Sequence, residues 1–223
     1  MTASGVQSTN VISEIRSCGV VPVLIVNDAR VAVAAAKALL AGGIGVTEVT
    51  FRTEAAASAI SAIRREVPEM LVGAGTILDS QALEQAIAAG ATFGVAPGYD
   101  PEIAKAAQSK GFLFLPGVMT PSEVGRAIRD GFRTLKFFPA ENAGGAKTLA
   151  AVMAPYLHLK PQVIPTGGIS SETIGPYLKL PYVIAAGASW VCPAKLMDAG
   201  KWEEITQLSR TAVEAIRATR GVA

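Results

Sequence analysis

Eight short runs rich in β-branched and other apolar residues alternate along the chain with alanine-rich amphipathic stretches, and this alternation constrains the fold more than any other feature. The runs lie at 20–26, 46–51, 71–75, 92–96, 112–115, 134–138, 162–165 and 182–185. Helical periodicity is expected at 29–41, 54–66, 80–89, 101–109, 121–130, 146–153, 171–178 and 202–220. Strands that each hand over to a helix build parallel sheets, because a parallel neighbour is reached only by a crossover. Eight such units predict an α/β fold of the (β/α)8 TIM barrel type, with an extra N-terminal helix near 11–18. A doubly wound open sheet is the alternative arrangement of the same pattern. Local signals agree with the boundaries: Asp79 and Asp100 sit where N-caps are needed, and Pro101 and Pro121 suit a first helical turn. Glycine follows several helices at Gly90, Gly111 and Gly131.

Nothing divides the 223 residues into parts, so one domain spanning 1–223 is expected. Half of the chain is hydrophobic and only 17% is charged, with a formal net charge of +2 and no long run of one sign. That balance argues against a disordered chain and against a nucleic-acid partner. The longest early apolar run is far short of the roughly 20 residues that cross a bilayer, and the polar start lacks the order of a secretory signal, so no membrane partner is expected. Cys18 and Cys192 have neither zinc-site nor redox-pair spacing, which suits reduced thiols in a cytoplasmic protein. With His158 the single histidine, no metal site is expected.

In a fold of this kind chemistry gathers at the C-terminal ends of strands, so polar residues that interrupt apolar runs carry the information. Of nine lysines, eight fall on helical or loop stretches. Lys136 instead lies inside Leu135-Lys136-Phe137-Phe138-Pro139. Low dielectric disfavours an ammonium, and the neutral amine is the form that attacks a ketone to give a Schiff base. A carboxylate-paired lysine that merely seals the interior is the other reading. Glu48 interrupts Val46-Thr47-Glu48-Val49-Thr50-Phe51 in the same way, and strand alternation puts Thr50 and Arg52 on its face. A carboxylate placed there can move protons while Arg52 grips an anionic carboxylate. Plain ion pairing of Glu48 with Arg52 or Lys136 is the alternative.

Small residues at Gly73-Ala74-Gly75-Thr76 and Ala96-Pro97-Gly98 leave space at two further strand ends. The late segments Pro165-Thr166-Gly167-Gly168-Ile169-Ser170 and Gly187-Ala188-Ser189-Trp190 follow the seventh and eighth strands, where such folds bind phosphate through exposed backbone N–H groups. Gly144-Gly145-Ala146-Lys147 lacks the other residues of a P-loop.

These six blocks, from Glu48-Val49-Thr50-Phe51-Arg52-Thr53 to the Ser189 segment, occur in an order that resembles the 2-keto-3-deoxy-6-phosphogluconate (KDPG) / 4-hydroxy-2-oxoglutarate (KHG) aldolases. The likeness runs from about residue 15 to 213. It implies a homotrimer of barrels that cleaves a 2-keto-4-hydroxy acid to pyruvate and an aldehyde without metal or other cofactor, as in Entner–Doudoroff carbohydrate metabolism. It implies that Lys136 forms the Schiff base and that Glu48 is the acid/base. Arg52 and Thr76 would then hold the pyruvate carboxylate, with Pro97 and Phe138 shaping the pocket. Thr166 would face the substrate hydroxyls, and Gly167, Gly168 and Ser189 the phosphate. The chain departs from the family pattern at Ala188, where a second glycine is common and a methyl would tighten the phosphate loop, and at Ala96, where related sequences carry a serine. A phosphosugar isomerase or epimerase using Glu48, and a catalytically silent sugar-acid binding protein, are the competing functions.

Overall fold

The computed structural model describes residues 3–221. Its elements follow the order α1 (Ala3–Cys18), β1 (Val20–Leu24), α2 (Ala29–Ala41), β2 (Val46–Thr50), α3 (Ala56–Glu66), β3 (Leu71–Gly75), α4 (Ser80–Ala88), β4 (Gly94–Val95), α5 (Pro101–Ser109), β5 (Phe114–Leu115), β6 (Gly117–Val118), α6 (Pro121–Arg129), β7 (Thr134–Phe137), α7 (Gly145–Met153), a 3-10 turn at Ala154–Leu159, β8 (Gln162–Pro165), α8 (Ile174–Leu178), β9 (Ala186–Ala188), α9 (Ala194–Asp198) and α10 (Trp202–Arg220). No helix among the described residues is long and apolar enough to cross a membrane.

The alternation of strand and helix is present and every described ladder is parallel, but the expected closed eight-stranded TIM barrel does not form. The strands make two sheets instead: six in the order β5-β4-β3-β2-β1-β9 and three in the order β6-β7-β8. One break falls at Pro116, just past the fifth expected strand at 112–115, beyond which a further short strand, β6, begins. β5 pairs with β4, whereas β6 pairs with β7, and the Pro116 carbonyl already accepts from Lys136 N at 2.9 Å. Proline has no N–H to continue a ladder, so the chain changes partner there. At the other break β8 meets the neighbourhood of β9 only through the isolated bridges Val163–Val183 and Thr166–Gly187. The last strand forms at Ala186–Ala188, later than the apolar run at 182–185, because its register is set by β1, with Val20 opposite Ala186 and Pro22 opposite Ala188.

Side chains on the strand faces divide into two apolar sets. The larger lies between the sheets and the surrounding helices, and includes Leu24, Leu39, Ile60, Ile63, Leu135 and Phe137, all fully buried. The smaller lies inside, where the two sheets face a common interior, and joins Val21, Val46, Phe93, Val95, Leu115 and Ile164 to Val11 and Ile15 of α1. Helix α1 thus plugs the end of the interior at which the strands begin. Helix starts are capped as the sequence suggests, with Asp79 accepting from Ala82 N at 2.7 Å and Asp100 from Glu102 N at 2.8 Å. At α6, Thr120 and Glu123 form a reciprocal capping box.

Candidate active site

Period-two alternation decides what each strand offers the interior. On β1 the inward positions are Val21, Val23 and Ile25; on β2 they are Val46, Glu48, Thr50 and then Arg52. In both cases the first belongs to the apolar plug and the later ones line a cavity of about 220 Å³ at the strands' C-terminal ends. The same switch occurs from Val95 to Pro97 and from Ile164 to Thr166. Thr76, Lys136, Phe138, Gly167, Gly168, Ile169, Gly187 and Ser189 complete the lining. All ten candidate residues therefore meet in one cavity, although they come from segments spread between residues 48 and 189.

Glu48 stands in the middle of β2, opposite Val23 and Gly73, and is 3% exposed; Lys136 stands in β7, between Gly117 and Ile164, and is 6% exposed. Lys136 Nζ donates to Glu48 Oε1 at 3.4 Å. This ion pair joins the six-stranded sheet to the three-stranded one across the interior. A buried pair with loose geometry is a poor device for stability, since desolvation offsets most of its attraction. It is, however, a good device for keeping an amine and a proton carrier within reach of one another in a water-poor site. The Phe138 ring lies 5.4 Å from Nζ, giving the cation a polarisable wall.

Two glycines create the room these polar groups occupy. A Cβ at Gly75 would overlap the Glu48 carboxylate, and one at Gly187 would overlap the Thr166 hydroxyl. The space at Gly75, expected to accommodate ligand, is thus filled by Glu48 itself. Arg52 lies just beyond β2, is exposed at the cavity mouth, and makes no ion pair among the described residues. Thr76 holds a left-handed backbone with φ of 59°, rare for a residue with a side chain and a form of strain that clusters at functional sites.

The two departures from the family pattern fall outside this lining. Ala188 is 2% exposed and its methyl packs in the apolar layer beneath the helices, while Ala96 is 3% exposed in the same layer. Val23, Ile25 and Ile169 line the cavity but carry no chemical signal in the sequence, because an apolar wall residue looks the same as a core residue. Elsewhere burial disfavours the thiolate of both cysteines, pushing Cys192 up to about 12 and also raising Cys18. Among the described residues no group of three His, Cys, Asp or Glu side chains is arranged to hold a metal ion.

Comparison with known proteins gives this cavity its context. The family model for KDPG and KHG aldolase matches residues 11–208. The KHG/KDPG aldolase of Escherichia coli K12 is 45% identical over 198 residues, 89% of this chain and 92% of that protein. The 2-dehydro-3-deoxy-phosphogluconate aldolase of Pseudoalteromonas atlantica is 45% identical over 194 residues, 87% and 89% of the two chains. Among solved structures, the KDPG aldolase of Legionella pneumophila, with pyruvate captured as a covalent carbinolamine intermediate, superposes with a TM-score of 0.86 at 35% identity, covering 90% of this chain and 97% of that one. The KDPG aldolase of Zymomonas mobilis ZM4, solved with 3-phosphoglycerate, gives 0.85 at 39% identity, covering 95% and 97%. The chain belongs to the KDPG and KHG aldolase family.

Proposed function

We propose that this protein is a class I aldolase that cleaves KDPG to pyruvate and glyceraldehyde 3-phosphate, and that it also splits 4-hydroxy-2-oxoglutarate to pyruvate and glyoxylate. The observation that carries the reading is the buried Lys136–Glu48 pair at 3.4 Å, set in a cavity whose mouth holds Arg52, which has no ion-pair partner among the described residues. Breaking a C3–C4 bond needs somewhere for its electrons to go, and a protonated imine at C2 is such a sink. Lys136 Nζ adds to the C2 ketone, and the carbinolamine hydroxyl departs as water with a proton supplied through Glu48. The Glu48 carboxylate then takes the proton from the C4 hydroxyl. The C3–C4 bond breaks, its electron pair enters the iminium, and the aldehyde leaves behind an enamine on Lys136. Glu48 returns the proton to C3, and water hydrolyses the imine to release pyruvate and the free amine. One proton carrier close to Nζ serves every step.

The remaining lining residues bind and orient. Arg52 clamps the pyruvate carboxylate bidentately at the mouth, and the Thr76 hydroxyl adds a second contact. Pro97 and Phe138 shape the walls on either side of the reacting carbons. Thr166 faces the substrate hydroxyls, and the backbone amides of Gly167, Gly168 and Ser189 receive the phosphate; positive φ at Gly167 (104°) and Gly168 (77°) suits a backbone nest for an anion. We carry with this reading a homotrimer of one-domain chains in the cytoplasm, serving Entner–Doudoroff breakdown of sugar acids; sedimentation equilibrium measures the trimer directly.

The chemistry is tested by incubating the protein with pyruvate and sodium borohydride and mapping the reduced adduct by mass spectrometry. An adduct on Lys136 is expected. A folded protein that binds pyruvate but yields no adduct would overturn the Schiff-base mechanism and favour isomerase chemistry centred on Glu48.

A further inference from the structure

The segment after Lys136 turns back over the end of β8 and makes two backbone contacts there. Ala140 N donates to the Thr166 carbonyl at 2.8 Å, and Glu141 N donates to the Gly167 carbonyl at 3.0 Å. A planar trans peptide points its N–H away from its C=O. Fixing those two carbonyls against Ala140 and Glu141 therefore turns the N–H groups of Gly167 and Gly168 to the opposite side, away from that segment. Glu141 is itself anchored from below. Its Oε1 accepts from Tyr177 Oη of α8 at 2.6 Å, and Tyr177 is 1% exposed. The Glu141 stem sits directly under the glycine pair, for a Cβ at Gly168 would stand 2.8 Å from Glu141 Cβ.

The tether also governs charge. A carboxylate beside a phosphate subsite repels a dianion unless it is drawn aside, and the Tyr177 hydroxyl draws it toward α8. Burial, and then the neighbouring carboxylate, raise the Tyr177 phenol well above its ordinary range, so it remains a donor at every working pH. Glu141 does not line the cavity and touches no reacting group.

We infer that Glu141 and Tyr177 are positioning residues that hold the Gly167–Gly168 amides toward the substrate's phosphate, and so set the preference for phosphorylated over unphosphorylated 2-keto-4-hydroxy acids. The inference rests on the phosphate reading of that glycine pair, which the wild-type protein tests by itself. If inorganic phosphate does not compete with KDPG in the wild type, that reading fails before any variant is made.

Given such competition, steady-state kinetics of Tyr177→Phe on KDPG and on 4-hydroxy-2-oxoglutarate decide the inference. Loss of one buried hydrogen bond should raise KM for KDPG roughly fivefold to tenfold and weaken phosphate inhibition in parallel. The kinetics with 4-hydroxy-2-oxoglutarate, and the borohydride-trapped pyruvate adduct that reports an intact site, should stay within about twofold of wild type. Glu141→Gln keeps an oxygen to accept from Tyr177 and removes the charge, so its KM for KDPG should equal or fall below that of the wild type. Equal losses on both substrates in Tyr177→Phe, no change on either, or a raised KDPG KM in Glu141→Gln would each overturn the inference.

Discussion

The two ends of the interior are built largely on the same strands and the same face, yet one is an apolar plug and the other a polar cavity. At the end where strands begin, Val21, Val46, Phe93 and Ile164 pack against Val11 and Ile15 of α1. Toward the strands' C-terminal ends the interior carries Glu48, Arg52, Lys136 and Thr166, and glycine replaces bulk at Gly75 and Gly187. Three arginines mark the plugged end. Arg16, Arg217 and Arg220 fall in the last turns of α1 and α10 at the plugged end, where helix carbonyls gather, and Arg220 donates to the carbonyls of Arg16 (2.5 Å) and Ile184 (2.6 Å). Arg52 alone among the arginines lies in the cavity. Stability and chemistry are therefore separable along the strand axis, and substitutions should sort by end.

The largest expected effect breaks the reactive end. Lys136→Ala removes the proposed nucleophile and should lower turnover by on the order of 10⁴-fold or more, with no borohydride-trapped adduct. Full activity would sink the mechanism. Glu48→Gln keeps the shape but removes the proposed proton carrier, so turnover should fall about 10²- to 10⁴-fold while a slow imine with pyruvate is still trapped by borohydride. At the plugged end, Ile15→Ala should cost about 2–5 kcal/mol of unfolding free energy, measured by urea titration, and leave pyruvate affinity unchanged. A large loss of affinity in that variant would show that the ends are coupled. Arg52→Ala should weaken pyruvate binding by roughly tenfold or somewhat more, read by calorimetry, with little change in melting temperature because the side chain is exposed.

The smallest effect concerns pH. Burial holds the Cys192 thiol at about 12, above its unfolded value near 9.0, so the folded state keeps it neutral. Its contribution to stability is complete below pH 9 and is lost as pH rises from 9 toward 12, because only the unfolded chain ionises in that window. A thiol reagent at pH 8 should accordingly spare Cys192 in the native protein and label it after unfolding. Rapid native labelling would contradict the packing at Cys192.

Much of this was legible beforehand, for identifiable reasons. Lys136 and Glu48 stand out because a charged side chain inside an apolar run is costly and needs a purpose, and strand periodicity alone puts Arg52 on the Glu48 face. What escaped was relational. The run at 182–185 looks more strand-like than Ala186-Gly187-Ala188, yet the latter pairs with β1, since ladder register depends on a partner distant in sequence. Helix α9 carries no side-chain N-cap, so no local signal announced it. Gly75 was readable as space, but its occupant was not.

By itself the sequence determined the alternation of strands and helices, the shared face of Glu48, Thr50 and Arg52, and the candidacy of Lys136, Glu48 and Arg52 as amine, carboxylate and guanidinium. Those are local properties, written in alternation, propensity and the cost of burying charge. Only the tertiary structure decided that the ladder breaks at Pro116 and between β8 and β9, that Lys136 and Glu48 meet at 3.4 Å from different sheets, and that Glu141 and Tyr177 stand behind the glycine pair. Such facts depend on the packing of segments some 36 to 88 residues apart, and no local energy term specifies them.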